Sequence, residues 1–185
     1  TNGTEEFHLA HKTEGWRPAD PVRLMDHVTS VRERFADTED SATQTDQFRR
    51  VVRCMRRWED VHVPEGAEGK LAGLAFVLLC CDHLTVQRHL DGRPDDHLAL
   101  QLLAERLGTW SGRLSAQKPT PEYEDMLAGL DDQQMDALKA RFRQLAQVLS
   151  NARLSVDPVD ACQKLKDELG DDFPVPTPED SGKKT

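Results

Sequence analysis

Positive charge is concentrated in one short stretch of this sequence, RRVVRCMRRW at residues 49–58. Five of its first nine positions are arginine, although the whole chain has a formal net charge of −9. Guanidinium groups match the oxygens of phosphates and carboxylates, so such a stretch can bind an anion. The same side chains can instead form a solvated helix face paired with acids such as Glu59 and Asp60. Both interpretations stay open on this stretch alone.

The other chemical constellations are weaker. Cys80, Cys81 and His83 could ligate a metal, but no second ligand pair follows at a suitable spacing, and buried thiols in an apolar helix explain them better. Glu122 and Glu124 form a carboxylate pair that a helix start also explains. Walker loops, nucleophile elbows and dinucleotide-binding glycine motifs are absent from the sequence. The residues therefore predict no metal site and no catalytic group in this chain.

Composition limits the class of protein. A length of 185 residues fits one domain, and 37% apolar with 31% charged residues indicates a soluble, helix-rich protein. The longest apolar run, at 71–81, is shorter than the roughly 20 residues of a membrane span, so we expect no membrane association. The acidic balance makes nucleic-acid binding by the whole surface unfavourable. Four cysteines without a C-x-x-C spacing, and no secretory signal, predict a cytoplasmic protein.

The elements that must position the arginines are predicted to be helices, because apolar residues recur at helical spacing from residue 20 onward. In the arginine-rich helix, steps of four and three residues align Arg49, Arg53 and Arg56 on a side away from the apolar one. Asp20 and Pro21 form a helix start, and an apolar central helix is predicted over roughly 70–90. We predict an all-α bundle of about seven helices; the others lie near 100–110, from about 122, over 131–152 and over 158–169.

Both ends of the chain are predicted to lie outside this bundle. Phe7 and Leu9 alternate with polar residues, which indicates a short strand, but no second strand with comparable alternation follows. Since a lone strand leaves its backbone groups unsatisfied, residues 1–15 are either a loop or an extended segment whose partner strands lie outside these 185 residues. Residues 16–176 are predicted as the helical domain and residues 177–185 as a disordered tail.

Five segments, in this order, also resemble a known family. They are FHLAHKTEGWRPADP, FRRVVRCMRRWED, GKLAGLAFVLLCCDHL, PTPEYEDMLAGLDDQQMDALKARFRQLAQVLSNA and DPVDACQKLKDELGDDFPVP. Together they are similar to the C-terminal helical half of the cGAS/DncV-like nucleotidyltransferases, bacterial enzymes that make cyclic oligonucleotide signals in antiphage defence. The resemblance covers about residues 6–176, nearly the whole chain.

This resemblance implies that the catalytic core is missing from the chain. The family's metal-binding carboxylates follow a Gly-Ser dipeptide in an N-terminal core, and this sequence has no Gly-Ser. Mg²⁺ would be held by that absent core, and this half would bind nucleoside triphosphates as the second wall of the cleft. The intact protein is then a nucleotidyltransferase, whereas the chain alone is expected to be inactive. The alternative is a stand-alone helical module that binds an acidic partner or nucleic acid through the arginines.

The resemblance also assigns phosphate-binding residues. In the family, the arginine-rich helix commonly reads R-x-x-R-Y-L-K-x-W, and its lysine contacts nucleotide phosphate two residues before the tryptophan. That position is Arg56 here, before Trp58. The family's buried helix often begins with a serine near phosphate, where this sequence has Ala72-Gly73 with a lysine close by. The predicted phosphate-binding residues are therefore Arg56, Arg53, Lys70 and Gly73.

Overall fold

The computed structural model describes residues 8–11, 15–18, 20–120 and 123–176 of the chain. Within these residues, six α-helices follow a short antiparallel hairpin. The predicted all-α bundle with an N-terminal extended segment is confirmed, with six helices in the described part rather than about seven. No helix in this part of the chain is long and apolar enough to cross a membrane.

The helices are separated by loops of varied length. Strands β1 and β2 span His8–His11 and Gly15–Pro18, and a single 3₁₀ turn, Ala36–Thr38, lies between the first two helices. The helices are α1 (Pro21–Glu33), α2 (Gln47–His62), α3 (Gly73–His83), α4 (Asp96–Gly108), α5 (Asp132–Leu154) and α6 (Pro158–Leu169).

Aspartate starts most of these helices. The side chains of the residues that precede α1, α2, α4, α5 and α6 each accept a hydrogen bond from a backbone N–H of the first turn. Such caps satisfy donors that have no partner inside the helix. Helix α3 is the exception, because the residue before it is Ala72 and no side chain caps its first turn. The capping residues are Asp20, Asp46, Asp95, Asp131 and Asp157.

The core lies between α2, α3, α4 and α5, and α3 is its most buried helix. Trp58 on α2 stacks on Phe142 of α5 with 5.3 Å between ring centroids. Both rings are almost completely buried, as are Phe76 of α3 and Leu103 of α4. This central position of α3 agrees with its nearly continuous apolar sequence. Helix α2 is therefore fixed by its apolar side, and its arginines must lie on the remaining surface.

Helix α3 is shorter than the predicted range of 70–90, because it ends at His83. The side-chain amide of Gln47 bonds both the N–H (2.9 Å) and the carbonyl oxygen (3.0 Å) of Gln87, which holds this segment in an extended conformation. Arg88 and Pro94 then form an isolated β-bridge. The segment that was predicted as the end of this helix therefore contacts α2 instead, which the local sequence does not reveal.

The helix predicted to start near residue 122 is absent from the described residues around it. Asp125 pairs with Gln117 in a β-bridge, and its carboxylate accepts hydrogen bonds from the N–H groups of Ala116 and Leu127. A carboxylate that bonds nearby backbone competes with helix formation, which explains why acids in a row did not start a helix here. Glu122 itself lies outside the described residues.

The N-terminal strand has a partner within the chain, contrary to the sequence interpretation. Strand β1 pairs with β2 in an antiparallel register that places His8 opposite Pro18 and His11 opposite Gly15. The second strand reads GWRP. Glycine and proline are poor strand formers, and these four residues do not alternate apolar with polar, so the sequence did not indicate a strand here. The hairpin crosses the predicted boundary between residues 15 and 16. The domain limits stay predictions, and the predicted disordered tail at 177–185 lies outside the described residues.

Candidate anion-binding site

The arginine-rich stretch of α2 divides into paired and unpaired side chains. Arg50 donates to Asp96 of α4 at 2.6 Å. Arg57 donates at 2.7 Å to the carbonyl oxygen of Leu169, at the end of α6. Arg49 lies 3.9 Å from the carboxylate that caps its own helix. These three arginines therefore join α2 to its neighbours or to its own first turn. They fit the interpretation in which the stretch is a helix face held by partners within the protein.

Arg53 and Arg56 behave differently. Both side chains are exposed, and neither forms a hydrogen bond or an ion pair with any residue that the structure describes. A guanidinium group presents five N–H donors in a rigid fork, so an unpaired one is available to an external anion. The two lie at different depressions of the surface, and only Arg56 faces the start of α3.

Arg56 lies in a cleft formed by the C-terminal half of α2, the loop over residues 63–72 and the first turn of α3. The cleft has a volume of about 460 Å³. Its lining brings together three of the four predicted phosphate-binding residues, Arg56, Lys70 and Gly73.

The first turn of α3 supplies a second feature that suits an anion. Its backbone N–H groups carry the positive end of the helix dipole, and no side chain caps them. Gly73 allows the arginine to lie close against this turn, because a Cβ atom at this position would be only 3.0 Å from Nε of Arg56. The missing side chain thus brings the guanidinium group of Arg56 and a helix N-terminus to one place.

Lys70 is in the cleft but is not free. Its Nζ lies 2.8 Å from Glu65 and 3.0 Å from Asp60, and both carboxylates also line the cleft. These hydrogen bonds, first that of Glu65 and then that of Asp60, raise the pKa of Lys70, so the ammonium stays charged. The sequence predicted the lysine but neither of these partners; Asp60 was considered only as a counter-ion of the arginines, and Glu65 was given no role.

Comparisons with known proteins identify the fold that carries this cleft. No protein-family model and no curated protein matches the sequence. Solved structures do match, and this chain spans less than half of the length of each of them. Vibrio cholerae DncV cyclic AMP-GMP synthase in complex with the linear intermediate 5′ pppA(3′,5′)pG aligns with a TM-score of 0.68 at 16% identity, covering 90% of this chain and 41% of that chain. The GTP-bound form of V. cholerae DncV gives 0.68 at 18% identity, with 90% and 42% covered. Escherichia coli DncV bound to 3′-deoxy GTP gives 0.66 at 18% identity, with 88% and 41% covered.

The chain has the fold of the C-terminal half of DncV. The sequence resemblance stated above is thereby confirmed at the level of fold. At these identities the alignment shows the fold alone.

Arg53, the fourth predicted residue, lies outside the cleft of this DncV-like bundle. It borders a separate depression of about 390 Å³, whose other walls include Cys54, Leu169 and Phe173. Residues three apart on a helix share a side only approximately, and here Arg53 faces the C-terminal segment after α6 whereas Arg56 faces the start of α3. The structure therefore brings Arg56, Lys70 and Gly73 together and leaves Arg53 apart.

The described part of the DncV-like chain offers no set of side chains suited to a metal ion. Asp60 and Glu65, the exposed acids of the cleft, are ion-paired with a lysine, so they do not fit a Mg²⁺ site. The thiols of Cys80 and Cys81 are buried in α3, and burial raises the pKa of Cys81 to about 12. The imidazole ring of His83 instead packs edge-on against the ring of Trp110, with 4.7 Å between the ring centroids. Buried thiols, the interpretation favoured from sequence, describe this cluster.

Proposed function

We propose that this chain is the nucleotide-binding helical half of a nucleotidyltransferase that makes cyclic di- or oligonucleotides from nucleoside triphosphates. One observation carries the proposal. In the fold that DncV shares, Arg56, which pairs with no residue that the structure describes, lies against the uncapped N-terminus of α3 in an open cleft. The solved DncV structures that share this fold hold GTP or a linear dinucleotide intermediate. We place the reaction in the cytoplasm, as the cysteine pattern predicts, and its product in antiphage signalling, as the sequence resemblance implies.

The cleft suits the phosphate groups of such a substrate. The guanidinium fork of Arg56 matches two phosphate oxygens, and the N–H groups at Gly73 add donors aligned with the helix dipole. Lys70 adds a point charge once a phosphate competes with Glu65 for it. This half therefore contributes orientation, which is a large part of the acceleration of a reaction between two bound substrates.

Metal chemistry belongs to the part of the enzyme outside this chain. In the proposed intact protein, Mg²⁺ held by the N-terminal catalytic core stabilises the charge that develops during phosphoryl transfer. The described residues of this chain, which offer no group of metal ligands, are not expected to take part in holding it. Accordingly, the 185-residue chain incubated with Mg²⁺ and the four nucleoside triphosphates is expected to release no pyrophosphate above a protein-free blank. Release that follows the protein concentration would contradict this division of labour.

Binding is tested by titrating the ¹⁵N-labelled chain with ATP, with GTP and with inorganic triphosphate. The expected result is a saturable shift of the backbone amides of Gly73 and Leu74, with weak affinity because half of the cleft is missing. A polyglutamate peptide and single-stranded DNA of equal charge serve as controls. Should these polymers shift the same amides while ATP and GTP do not, the chain is an interaction module instead.

A further inference from the structure

A carboxylate lies buried in the wall of the cleft, three residues after Arg56 on α2. Glu59 is only 1% exposed, yet it lines the same cleft. A buried charge is costly unless it is paired and hydrogen-bonded, and a negative charge is especially unfavourable beside a site for phosphates. The structure must therefore compensate Glu59, and the way it does so links it to the cleft.

Each carboxylate oxygen of Glu59 has its own partner. Oε1 accepts a hydrogen bond from the backbone N–H of Leu71 at 3.0 Å. Leu71 lies between Lys70 and the start of α3, so this bond holds the segment that carries the lysine. Gly73, which lies close to the guanidinium group of Arg56, is only two residues further along the chain.

The second oxygen, Oε2, accepts from Nη1 of Arg141 at 2.9 Å. Arg141 comes from α5, and its guanidinium group also lies over the ring of Trp58, 5.3 Å from the centroid. Trp58 in turn stacks on Phe142. Because the arginine is held by the ring and by the carboxylate together, its positive charge is fixed next to Glu59 and offsets it.

We propose that Glu59 is a positioning residue of the anion cleft and that Arg141 supplies the counter-charge that allows a carboxylate to lie there. Glu59 holds the Leu71 N–H and thereby places Lys70 and the α3 N-terminus around Arg56. Arg141 keeps the wall of the cleft electrically neutral toward a polyanion. This inference rests on the proposed function, since it concerns how the same cleft binds nucleoside triphosphates.

The two roles separate by mutation. Arg141→Met leaves a buried, uncompensated negative charge, and ATP affinity falls about tenfold. Adding Glu59→Gln removes that charge and keeps an acceptor for Leu71, so the double variant returns to within about twofold of wild type. Glu59→Ala loses the acceptor and binds ATP about fivefold more weakly than Glu59→Gln does. Arg143→Met is the matched control. Arg143 also belongs to α5, but its Nη1 donates to the carbonyl oxygen of Gly108, which does not line the cleft.

The readout is the dissociation constant for ATP from amide titration, with thermal unfolding measured on every variant. If the Glu59–Arg141 pair has only a structural role, the double variant should bind ATP as weakly as Arg141→Met does. That result overturns the proposal. Equal ATP affinity of Glu59→Ala and Glu59→Gln overturns it too, and this pair decides the matter if Arg141→Met does not fold.

Failure of the proposed function gives a different result. If wild type binds neither ATP nor GTP, the nucleotide assignment is wrong, whatever the variants do. The positioning role is then read from the free protein. Glu59→Ala must shift the amide resonances of Lys70 and Gly73 whereas Glu59→Gln leaves them near their wild-type positions, and unchanged resonances in both variants reject the role.

Discussion

Two surfaces of this molecule carry arginine in a depression and differ in how that positive charge is used. One is the anion cleft around Arg56. The other, here called the distal surface, comprises Arg88, Arg93 and Arg153 at the start of α4 and the end of α5. Its depression, about 520 Å³, is larger than the cleft of about 460 Å³. On the distal surface each arginine is matched by a carboxylate, in the pairs Arg88–Asp37 at 2.6 Å, Arg93–Asp91 at 2.7 Å and Arg153–Asp95 at 2.9 Å.

The helix starts at the two surfaces show the same contrast. At the distal surface, Asp95 caps α4 by accepting the N–H of Leu98 at 2.9 Å. At the cleft, Ala72 precedes α3 and leaves the equivalent donors without a side-chain cap. The protein thus supplies its own anion at one helix N-terminus and none at the other. A guanidinium group that pairs with no described residue, that of Arg56, distinguishes the candidate site, rather than the number of arginines or the size of a depression.

The largest expected effect of this contrast is on ligand binding. Arg56→Glu removes a charged hydrogen-bond donor and adds repulsion, so the affinity for ATP should fall about 30-fold, or about 2 kcal/mol. Arg93→Glu, the matched change on the distal surface, should leave ATP affinity unchanged. Amide titration of both variants measures the difference. Equal losses in the two variants would mean that ATP responds only to net charge and would remove the distinction between the surfaces.

The next effect concerns stability and belongs to the distal surface. Burial acts to raise the pKa of Asp95, but the hydrogen bond from Arg153, the N–H of Leu98 and the charges of Arg153 and His89 outweigh it and hold the pKa below its ordinary value of 3.8. Because the folded-state pKa is the lower one, this carboxylate stabilises the fold above about pH 4, and the contribution is lost as pH falls through the folded-state value.

Asp95→Asn tests this assignment, since asparagine keeps the cap and loses the charge. We expect a loss of about 1.5 kcal/mol in the free energy of unfolding at pH 7 and a smaller loss near pH 3. Urea unfolding at both pH values measures it, and ATP affinity should not change. A variant as stable as wild type at pH 7 would show that the Arg153–Asp95 pair contributes nothing.

Local patterns predicted most of the fold, because helical periodicity and Asp or Pro at helix starts are short-range signals. Helices α1, α5 and α6 begin at Pro21, Asp132 and Pro158, at or next to the starts that the sequence indicates. The errors arose where a distant group decided the conformation. Gln47 binds Gln87, forty positions along the chain, in the segment that was predicted as the end of α3. The second strand, GWRP, is specified by pairing and not by its composition.

The candidate site was predictable only in part for the same reason. Arg56 was predicted because it lies two positions before Trp58, where the family pattern has its phosphate-binding lysine. Which arginines are free depends on remote partners, such as Asp96 for Arg50 and the end of α6 for Arg57. Glu59 precedes Asp60 in an acidic pair that looked like a solvated counter-ion, and only the packing of α5 shows that it is buried.

The smallest expected effect sharpens the comparison at the cleft itself. A Cβ atom at residue 73 would lie 3.0 Å from Nε and 3.2 Å from Cζ of Arg56, so Gly73→Ala must displace the guanidinium group by a few tenths of an ångström. We expect about a threefold loss of ATP affinity with unchanged or slightly higher thermal stability, since alanine favours helix over glycine. Gly129→Ala is the control, because its Cβ would have no atom within 4 Å. If Gly73→Ala binds ATP as wild type does, the close approach of Arg56 to α3 is not what the anion requires, and the uncapped helix start loses its part in the site.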